Sequence, residues 1–542
     1  MTLRIFAFTF LRRKRAGVQC ALLALMSAMV ALAGCGSGSS GAAAPPAVTA
    51  CLNAADTTPE ADLPNQSDAR ITIINKDTTL DSLISCSNAP VPIDGYGVAS
   101  AGGAAPLKAG KNFSLTLAAE VAPPSIVGTA VFVGAGLNDA TAGGTYSGTA
   151  LTPPYVRYRV EIDAAGTPDT FRWSLDDGAT WVQQNVAVTG GAQSLSDGVQ
   201  ITFTATTGHT VGDRWMIDAG ILQATSVSVL SDLAVVGYAM AGPPYLGAIQ
   251  VYRLKQNSAQ LKSMALIRDT DIHAVHLSGS SVYTAGAHEP VLKPSVVERF
   301  ALSGSNLAID TGPVELSSFA ATSILHDTAR GQVYVTDGDD NGLVVLDEAL
   351  QSPVSFALED ARWVALEGNL LAVAQGCCGP NPQANGQVTT YDVSGGSPAS
   401  PNVWGFTGAD VDDSKTTVQL LGGKAFLAAG SGGALVLDPS DGTVLAAVPN
   451  PTGTGLADNL VVANAASADE DLLFISNGEA GVYVAQEDNN DFLLTGNTAS
   501  LTLLGHLQFD SLQSVNHVAY FNRYLIVAAG LGGTKVVRIN VP

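Results

Sequence analysis

The second half of the chain repeats one phrase, and this repeat constrains the fold more than any other feature. An apolar strand ends in a small residue and Gly, a loop follows, and a second strand opens with a turn residue, as in QVYVTDG from Gln332 and GLVVLD from Gly342. The second strands open at intervals of 48, 47, 44, 47, 48 and 52 residues. A constant period of this length, with about four short strands per unit, is typical of a β-propeller rather than a solenoid. The openings are Gly247, Ser295, Gly342, Gly386, Gly433, Gly481 and Gly533.

Seven units predict an all-β fold with a seven-bladed β-propeller over residues 223–542. The sequence stops at Pro542, just after the second strand of the last unit, so that blade needs an outer strand from elsewhere. Either TSVSVLS from Thr225 or FSLTLAAEV from Phe113 can supply it and close the ring. In the second case, the residues between Phe113 and the propeller form an insertion.

The repeat also carries a family resemblance. GLVVLD, GALVLD from Gly433 and GQVTTYDVSGGSP from Gly386 resemble the LVIVD repeat of bacterial surface β-propeller proteins, over residues 225–542. The resemblance implies a propeller at the cell surface or in the envelope.

A single-copy β-sandwich-like module is predicted over residues 143–222, after an N-terminal β region over 67–142 that can contribute a propeller strand. Alternating apolar residues such as Val199, Ile201 and Phe203 indicate half-buried strands. The phrases GTPDTFRWS and TTGHTVGDRW resemble short β modules of tail-fibre and surface-adhesion proteins. The tryptophans of the module fit either a sugar-stacking platform or a hydrophobic core, and the core is the commoner use. They are Trp173, Trp181 and Trp215.

The first 34 residues are predicted to be an export signal. A basic cluster precedes an uncharged run from Ala16 to Gly34, which by length alone could also remain as a membrane anchor. Leu32–Cys35 resembles the lipobox of bacterial lipoproteins, which implies cleavage before Cys35 and acylation, including palmitate, of that cysteine. Gly36 follows in place of the Asp that retains such proteins at the inner membrane. We therefore expect an outer-membrane lipoprotein, whose residues 35–66 are a flexible Gly/Ser/Ala/Pro tether.

Charge limits the classes of partner. The formal net charge is −22, and removal of the basic leader leaves about −27. Such a surface repels phosphate groups, so nucleic acid is excluded as a partner, and contact with a membrane is expected only through the lipid anchor. No pair of cysteines has the spacing of a zinc site, and an exported chain can form a disulfide between Cys51 and Cys86.

The loops that join the paired strands all emerge on one face of a propeller, because connections in an antiparallel sheet alternate between its two ends. The loops of the first four units are longer or more polar than the last three. We therefore predict a binding face biased toward those units. Its candidate residues are Tyr245, His288, Glu289, Asp337, Asp339, Asp340 and Glu479.

The loop of the third unit satisfies a calcium-loop pattern that ends at Glu348. Six residues of strand carry Glu348 roughly 20 Å away, so it cannot share an ion with Asp337. A turn in which Asp337, Asp339 and Asn341 cap their own backbone amides is the main interpretation. A weak calcium site without helices is the alternative, and no other metal or cofactor is expected.

The adjacent Cys377 and Cys378 fit a disulfide that clamps the longest loop, a metal-binding thiol pair, or the vicinal disulfide of propeller quinoproteins. His273 and His517 lie near the starts of inner strands, where they can be structural or line the channel. No nucleophile elbow or P-loop occurs. We therefore predict a binding or scaffolding protein with an envelope partner, and not an enzyme. A quinoprotein-like dehydrogenase or a calcium-dependent lactonase is the alternative.

Overall fold

The computed structural model describes most of the chain, and its described residues are largely strands. They are 63–75, 80, 84–85, 108–109, 114–149, 154–255, 258–288, 295–376, 385–408, 415–469, 472–487, 501–521 and 524–540. Helical turns include Gly338–Asn341 and a 3-10 helix at Asp458–Leu460. Within these residues no helix is long and apolar enough to cross a membrane. The prediction of an all-β chain is confirmed.

Five strands precede the module in the part of the chain that the structure describes. They are β1 (Gln66–Ser67), β2 (Ile71–Asn75), β3 (Ile84–Ser85), β4 (Lys108–Ala109) and β5 (Ser114–Val121).

The described residues of the module form nine strands. The module starts earlier than the sequence pattern indicates, because β6 and β7 pair with its last strand, β14. One sheet has the order β11-β10-β9-β14 with β6 and β7 on the far edge, and the other has the order β12-β13-β8. The strands are β6 (Ser125–Val127), β7 (Val131–Val133), β8 (Ala140–Gly144), β9 (Tyr155–Ala164), β10 (Thr170–Ser174), β11 (Gln183–Ala187), β12 (Gln193–Ser194), β13 (Val199–Phe203) and β14 (Arg214–Ile221).

The rest of the described chain folds into consecutive antiparallel meanders, which we number sheets 1 to 7. Sheet 1 is β15 (Gln223–Leu230), β16 (Leu233–Ala239), β17 (Gly247–Lys255) and β18 (Ser258–Ile267). Sheet 2 is β19 (Thr270–Ser278), β20 (Ser281–His288), β21 (Ser295–Ser303) and β22 (Asn306–Glu315). Sheet 3 is β23 (Ser323–Asp327), β24 (Gln332–Asp337), β25 (Gly342–Asp347) and β26 (Val354–Phe356). Sheet 4 is β27 (Ala361–Glu367), β28 (Leu370–Gln375), β29 (Gly386–Asp392) and β30 (Ala399–Phe406).

The remaining three meanders continue the pattern. Sheet 5 is β31 (Val418–Leu421), β32 (Lys424–Ala428), β33 (Ala434–Leu437) and β34 (Val444–Val448). Sheet 6 is β35 (Ala465–Asp469), β36 (Leu472–Ser476), β37 (Val482–Glu487) and β38 (Leu501–Leu507). Sheet 7 is β39 (His517–Phe521), β40 (Tyr524–Ala528) and β41 (Thr534–Asn540), with β5 as its fourth strand.

The first strands of these sheets form a ring. Each contacts the first strand of the next sheet, and the first strand of sheet 7 contacts that of sheet 1. Side chains link neighbouring strands: the hydroxyl of Ser226 accepts the Val275 N–H at 2.9 Å, and that of Thr417 accepts the Ala466 N–H at 3.1 Å. The inner edge of a first strand has no strand partner, so polar side chains satisfy its backbone groups. This closed arrangement confirms the β-propeller.

Glycines at two positions of the repeat, after the second strand and before the third, account for its sequence pattern. Gly338, Gly430, Gly478 and Gly530 each have a φ of +53° to +58° and form a β-bridge to the start of the next sheet's first strand. Where the third strand opens, a Cβ on Gly433 would lie 2.3 Å from the Val448 carbonyl oxygen, and one on Gly481 would lie 2.1 Å from that of Leu507. The first position needs a left-handed backbone and the second has no room for a side chain.

Both candidate closing segments are used, in different places. β5 pairs with β41 as the outer strand of sheet 7, and TSVSVLS lies within β15 and the turn after it, at the inner edge of sheet 1. The module therefore lies between the outer strand of the last sheet and the inner strand of the first. β2 extends the outer edge of sheet 1, β3 that of sheet 7 and β4 that of sheet 6, which covers edges that could otherwise pair with other chains.

Candidate functional site

The module stands on the face that the sequence predicts for binding. Connections alternate between the two faces of the ring, so the link from β5 to β15 emerges with the loops that join second and third strands. We call this the loop face, and the opposite one, where first and second strands join, the turn face. The module is therefore part of the loop face.

The first loop of this face holds the module in place. Asp271, which is fully buried, accepts the backbone N–H groups of Met240 and Gly242 at 2.8 Å and of Leu246 at 3.0 Å. Met240 and Leu246 share one hydrophobic cluster with Ile126 and Leu222 of the module base and with sheet 1. This loop is therefore a docking point for the module, and among the described candidate residues only its Tyr245 is partly exposed.

The other predicted binding residues lie deeper than their polar character suggests. His288 is 5% exposed, Glu479 is 6% exposed and Asp337 is fully buried. The His288 Nε2 lies 3.6 Å from the Glu315 carboxylate. Only the backbone of Asp339 and Asp340 is described, within Gly338–Asn341. Glu289 and the cysteines, which are Cys35, Cys51, Cys86, Cys377 and Cys378, lie outside the described residues.

Asp337 ties its turn to a neighbouring connection. Its carboxylate accepts Asn341 Nδ2–H at 2.8 Å and the Ser317 N–H at 3.3 Å, and it hydrogen-bonds the Ser295 hydroxyl. The helical turn that follows has no side-chain cap, so Asp337 does not cap its own turn as the sequence suggested. In the described part of the chain no group of three or more His, Cys, Asp or Glu side chains is placed to hold a metal ion.

The ring encloses a channel that is blocked by side chains from two sheets and from one connection between sheets. Trp363 of sheet 4 and His517 of sheet 7 occupy equivalent positions, and their ring centroids lie 5.1 Å apart across the channel. Lys415, just before sheet 5, reaches the other side and donates from Nζ to the carbonyl oxygens of Thr225 at 2.7 Å and His273 at 3.1 Å. Its Nζ lies 5.4 Å from the Trp363 ring. We call Trp363, His517 and Lys415 the plug.

Burial sets the charge of the plug and of its neighbours. Burial lowers the pKa of Lys415 to about 7. Burial, together with the Lys415 charge, lowers the pKa of His517 to about 3, and burial lowers the pKa of His273 to about 4. Both imidazoles are therefore neutral at pH 7.

A cavity of about 440 Å³ lies against the plug on its turn-face side. Its walls come from the later residues of the first strands, including Leu366, Leu421 and Tyr520. The size is that of a small-ligand site. Sequence reasoning singled out His517 but missed Trp363 and Lys415, although alignment of the units on their repeated glycines places Trp363 and His517 at the same position.

The tryptophans of the module divide between core and surface. Trp215 and Trp173 are buried, and Trp215 packs against Phe203 with ring centroids 5.2 Å apart. Trp181 is half-buried, and the Arg172 guanidinium lies 4.0 Å from its ring centroid. A sugar platform of all three tryptophans is therefore not formed, which agrees with the core interpretation.

The comparisons with known proteins concern the fold alone. No family model and no curated protein matches the sequence. Among solved structures, the chain is similar to U3-55K, with 14% identity, a TM-score of 0.43 and coverage of 59% of this chain and 96% of that one. It is similar to BamB from Moraxella catarrhalis, with 10% identity, a TM-score of 0.34 and coverage of 70% and 96%. A protein from Lactobacillus plantarum has 12% identity, a TM-score of 0.37 and coverage of 65% and 99%.

Proposed function

We propose that this chain is a lipid-anchored, seven-bladed β-propeller of the bacterial envelope that binds a protein partner through its loop face and the module on it. The ring of sheets 1 to 7 and the LVIVD-like repeat support the blade number and the propeller class. The lipobox-like Leu32–Cys35, with Gly36 after it, supports an anchor in the outer membrane. Binding, rather than catalysis, is the function we assign to this face.

The observation that carries the proposal is an exposed apolar cluster on the module. Eleven large hydrophobic side chains are exposed in the described residues, and six of them belong to the module, which singles it out as the contact surface. Four lie near the end of the module where β14 begins, roughly 25 Å from where β14 reaches the propeller. This tip cluster is Val131, Val133, Leu137 and Val211, with exposures of 51%, 43%, 38% and 57%.

The tip cluster has a rigid base. Val131 and Val133 lie opposite Met216 and Arg214 in the strand pairing. The Asp213 carboxylate accepts the Gly136 N–H at 3.1 Å and the Thr210 N–H at 2.9 Å, so the segments that carry Leu137 and Val211 are held together. An ordered, exposed apolar surface on an acidic protein favours a protein partner over an anionic membrane or nucleic acid.

We expect the double variant Val133→Asp, Val211→Asp to lose the partner. Two charges on a partner-facing apolar surface must be desolvated on binding, which should weaken the complex at least tenfold. The partner would be identified by in-cell cross-linking and detergent-solubilised pull-down with the wild-type chain, and its affinity then measured with purified proteins.

Val444→Asp is the matched control, because Val444 is 54% exposed on the outer strand of sheet 5, away from the module. It should bind like the wild type. All three chains should have the same melting temperature within the small range typical of surface substitutions. Equal binding by the tip variant and the wild type would refute the assignment of this surface.

The anchor is tested separately. Cys35→Ser should abolish incorporation of radiolabelled palmitate and release the protein from the outer-membrane fraction, because the thiol that the lipobox-like motif marks for acylation is removed. Cys20→Ser, within the predicted leader, should still be labelled and fractionate normally. Palmitate labelling of the Cys35→Ser protein would contradict a lipid at this residue.

A further inference from the structure

The cavity beside the plug has the features of a small-ligand site, and it is independent of the partner surface on the module. Its residues come from all seven first strands, so it exists only in the closed ring. Trp363, His517 and Tyr520 line the cavity, and each of these side chains is partly exposed. Because they lie close to the channel axis, the exposed parts of their rings face the cavity.

His517 presents a hydrogen-bond donor there. Its Nδ1 accepts the backbone N–H of Val227 at 3.2 Å. A neutral imidazole whose Nδ1 is an acceptor carries its proton on Nε2, so the other edge of the ring is a donor. The contact with Trp363 fixes the ring plane. The donor is therefore held in one orientation before a ligand arrives.

The described lining of the cavity differs in charge from the acidic protein as a whole. The chain has 48 Asp and Glu residues, yet none of the residues that line this cavity in the described structure is acidic. The nearest positive charge is Lys415, whose Nζ lies behind the Trp363 ring and acts on His517. The carbonyl oxygens of Thr225 and His273 accept from Nζ and help to hold it in place. A negative group beside His517 would therefore meet a donor and, below about pH 7 where Lys415 is protonated, a positive charge behind the Trp363 ring.

Away from the plug the walls combine apolar side chains with polar groups. Val229, Leu325, Leu366 and Leu421 line the cavity with Tyr520, and its volume of about 440 Å³ accommodates one or two rings. The polar side chains in the walls are uncharged at pH 7, since burial lowers the pKa of His276 to about 4. Besides His517 and His276, they are Ser228, Ser323, Thr417, Gln419 and Ser467. A ligand with an apolar body and a single anionic end matches this distribution.

We propose that the channel cavity binds a small carboxylate with an aromatic body, whose carboxylate accepts from His517 Nε2–H with the Lys415 ammonium group behind the Trp363 ring, and whose ring packs between Trp363 and the leucines. Three probes of one shape test it by calorimetry on the full mature chain at about pH 6, where Lys415 is protonated: 2-naphthoate, 2-naphthamide and 2-naphthylmethylamine. We expect naphthoate to bind at least tenfold more tightly than the amide, and no binding of the amine at millimolar concentration.

Two variants locate the site. Trp363→Ala should weaken naphthoate binding at least tenfold, whereas Trp181→Ala, which removes a half-buried tryptophan from the module, should leave it unchanged. Lys415→Gln keeps a donor and removes the charge, so the preference for naphthoate over the amide should fall to within about twofold. Lys535→Gln is its control, because Lys535 is also buried and is paired with Glu120 outside the channel.

The wild-type measurements alone can overturn the proposal, so it stays falsifiable even if a channel variant does not fold. Equal affinity for the three probes, or no binding of naphthoate, would refute it. So would an equal loss of binding in Trp363→Ala and Trp181→Ala. The tip variant Val133→Asp, Val211→Asp should bind naphthoate like the wild type, so failure of the partner surface and failure of this site are distinguishable.

Discussion

Replacing Leu115 with Asp is expected to lower the free energy of unfolding by about 4 kcal/mol or more, because it places an unpaired charge in the seam that closes the ring. Leu115 is fully buried on β5, opposite Ile539 of β41. Its hydrophobic cluster joins sheets 6 and 7 through residues such as Phe474 and Val518. Urea unfolding of the full chain, followed by circular dichroism, measures the loss.

Two further variants show whether the loss of stability comes from the buried position of Leu115 or from the added charge alone. Leu115→Ala, which leaves a cavity without a charge, should lose about 2 to 5 kcal/mol. Val444→Asp puts the same charge on an exposed strand of sheet 5 and should change stability by less than about 0.5 kcal/mol. If Leu115→Asp unfolded at the wild-type urea concentration, β5 would not be what closes the propeller.

The second large effect is expected in the module, where His209→Leu should cost about 3 to 5 kcal/mol. The His209 side chain is fully buried, with Nε2 2.9 Å from the Asp139 carboxylate and Nδ1 2.9 Å from that of Asp169. Leucine would leave buried carboxylates without their cation. Tryptophan fluorescence follows the module, because the Trp215 ring centroid lies 6.0 Å from that of His209.

A double-mutant cycle tests whether the loss of stability in His209→Leu comes from the ion pair between His209 and Asp169. Asp169→Asn removes one buried charge, so His209→Leu should cost less in that background than in the wild type, by at least about 1 kcal/mol. Additive losses would show that His209 stabilises the module only by packing against Phe203 and Trp215.

The same cluster predicts how the stability of the module depends on pH. Burial alone would lower the pKa of His209, but hydrogen bonds and charge from Asp139 and Asp169 outweigh it and raise this pKa above 6.5. This stabilisation is complete below pH 6.5 and is lost as pH rises through the raised pKa. Burial alone would raise the pKa of Asp169, but its hydrogen bonds lower it below 3.8, so its contribution is lost as pH falls through the lowered pKa. The His209→Leu variant should lack the alkaline loss.

Residue spacing alone predicts the repeating part of the fold. Each unit is an antiparallel meander whose apolar runs and turn glycines lie close in sequence, so the pattern itself specifies the pairing. The repeated glycines are required by local geometry, namely a left-handed backbone at Gly430 and a contact without room for Cβ at Gly433. For the same reason the tryptophans of the module could be expected in its core.

The burial of the candidate site residues could not be predicted from the sequence. His288, Asp337 and Glu479 are polar residues in or beside predicted loops, which suggests exposure, yet all three are buried. Whether a loop side chain turns inward depends on the neighbouring sheet, as with Asp337 and the Ser317 amide. The alternation of apolar and polar residues along the chain does not predict such a contact.

The sequence by itself determined that the second half of the chain is built from β meanders of about 47 residues and that the chain is acidic. Only the tertiary structure decided which strand closes the ring, that the module stands on the loop face, and that Trp363, Lys415 and His517 meet in the channel. These three residues are separated by 52 and 102 positions in the chain. Strand pairing within a unit is local and leaves a pattern, whereas contacts across the channel arise only when the last sheet packs against the first.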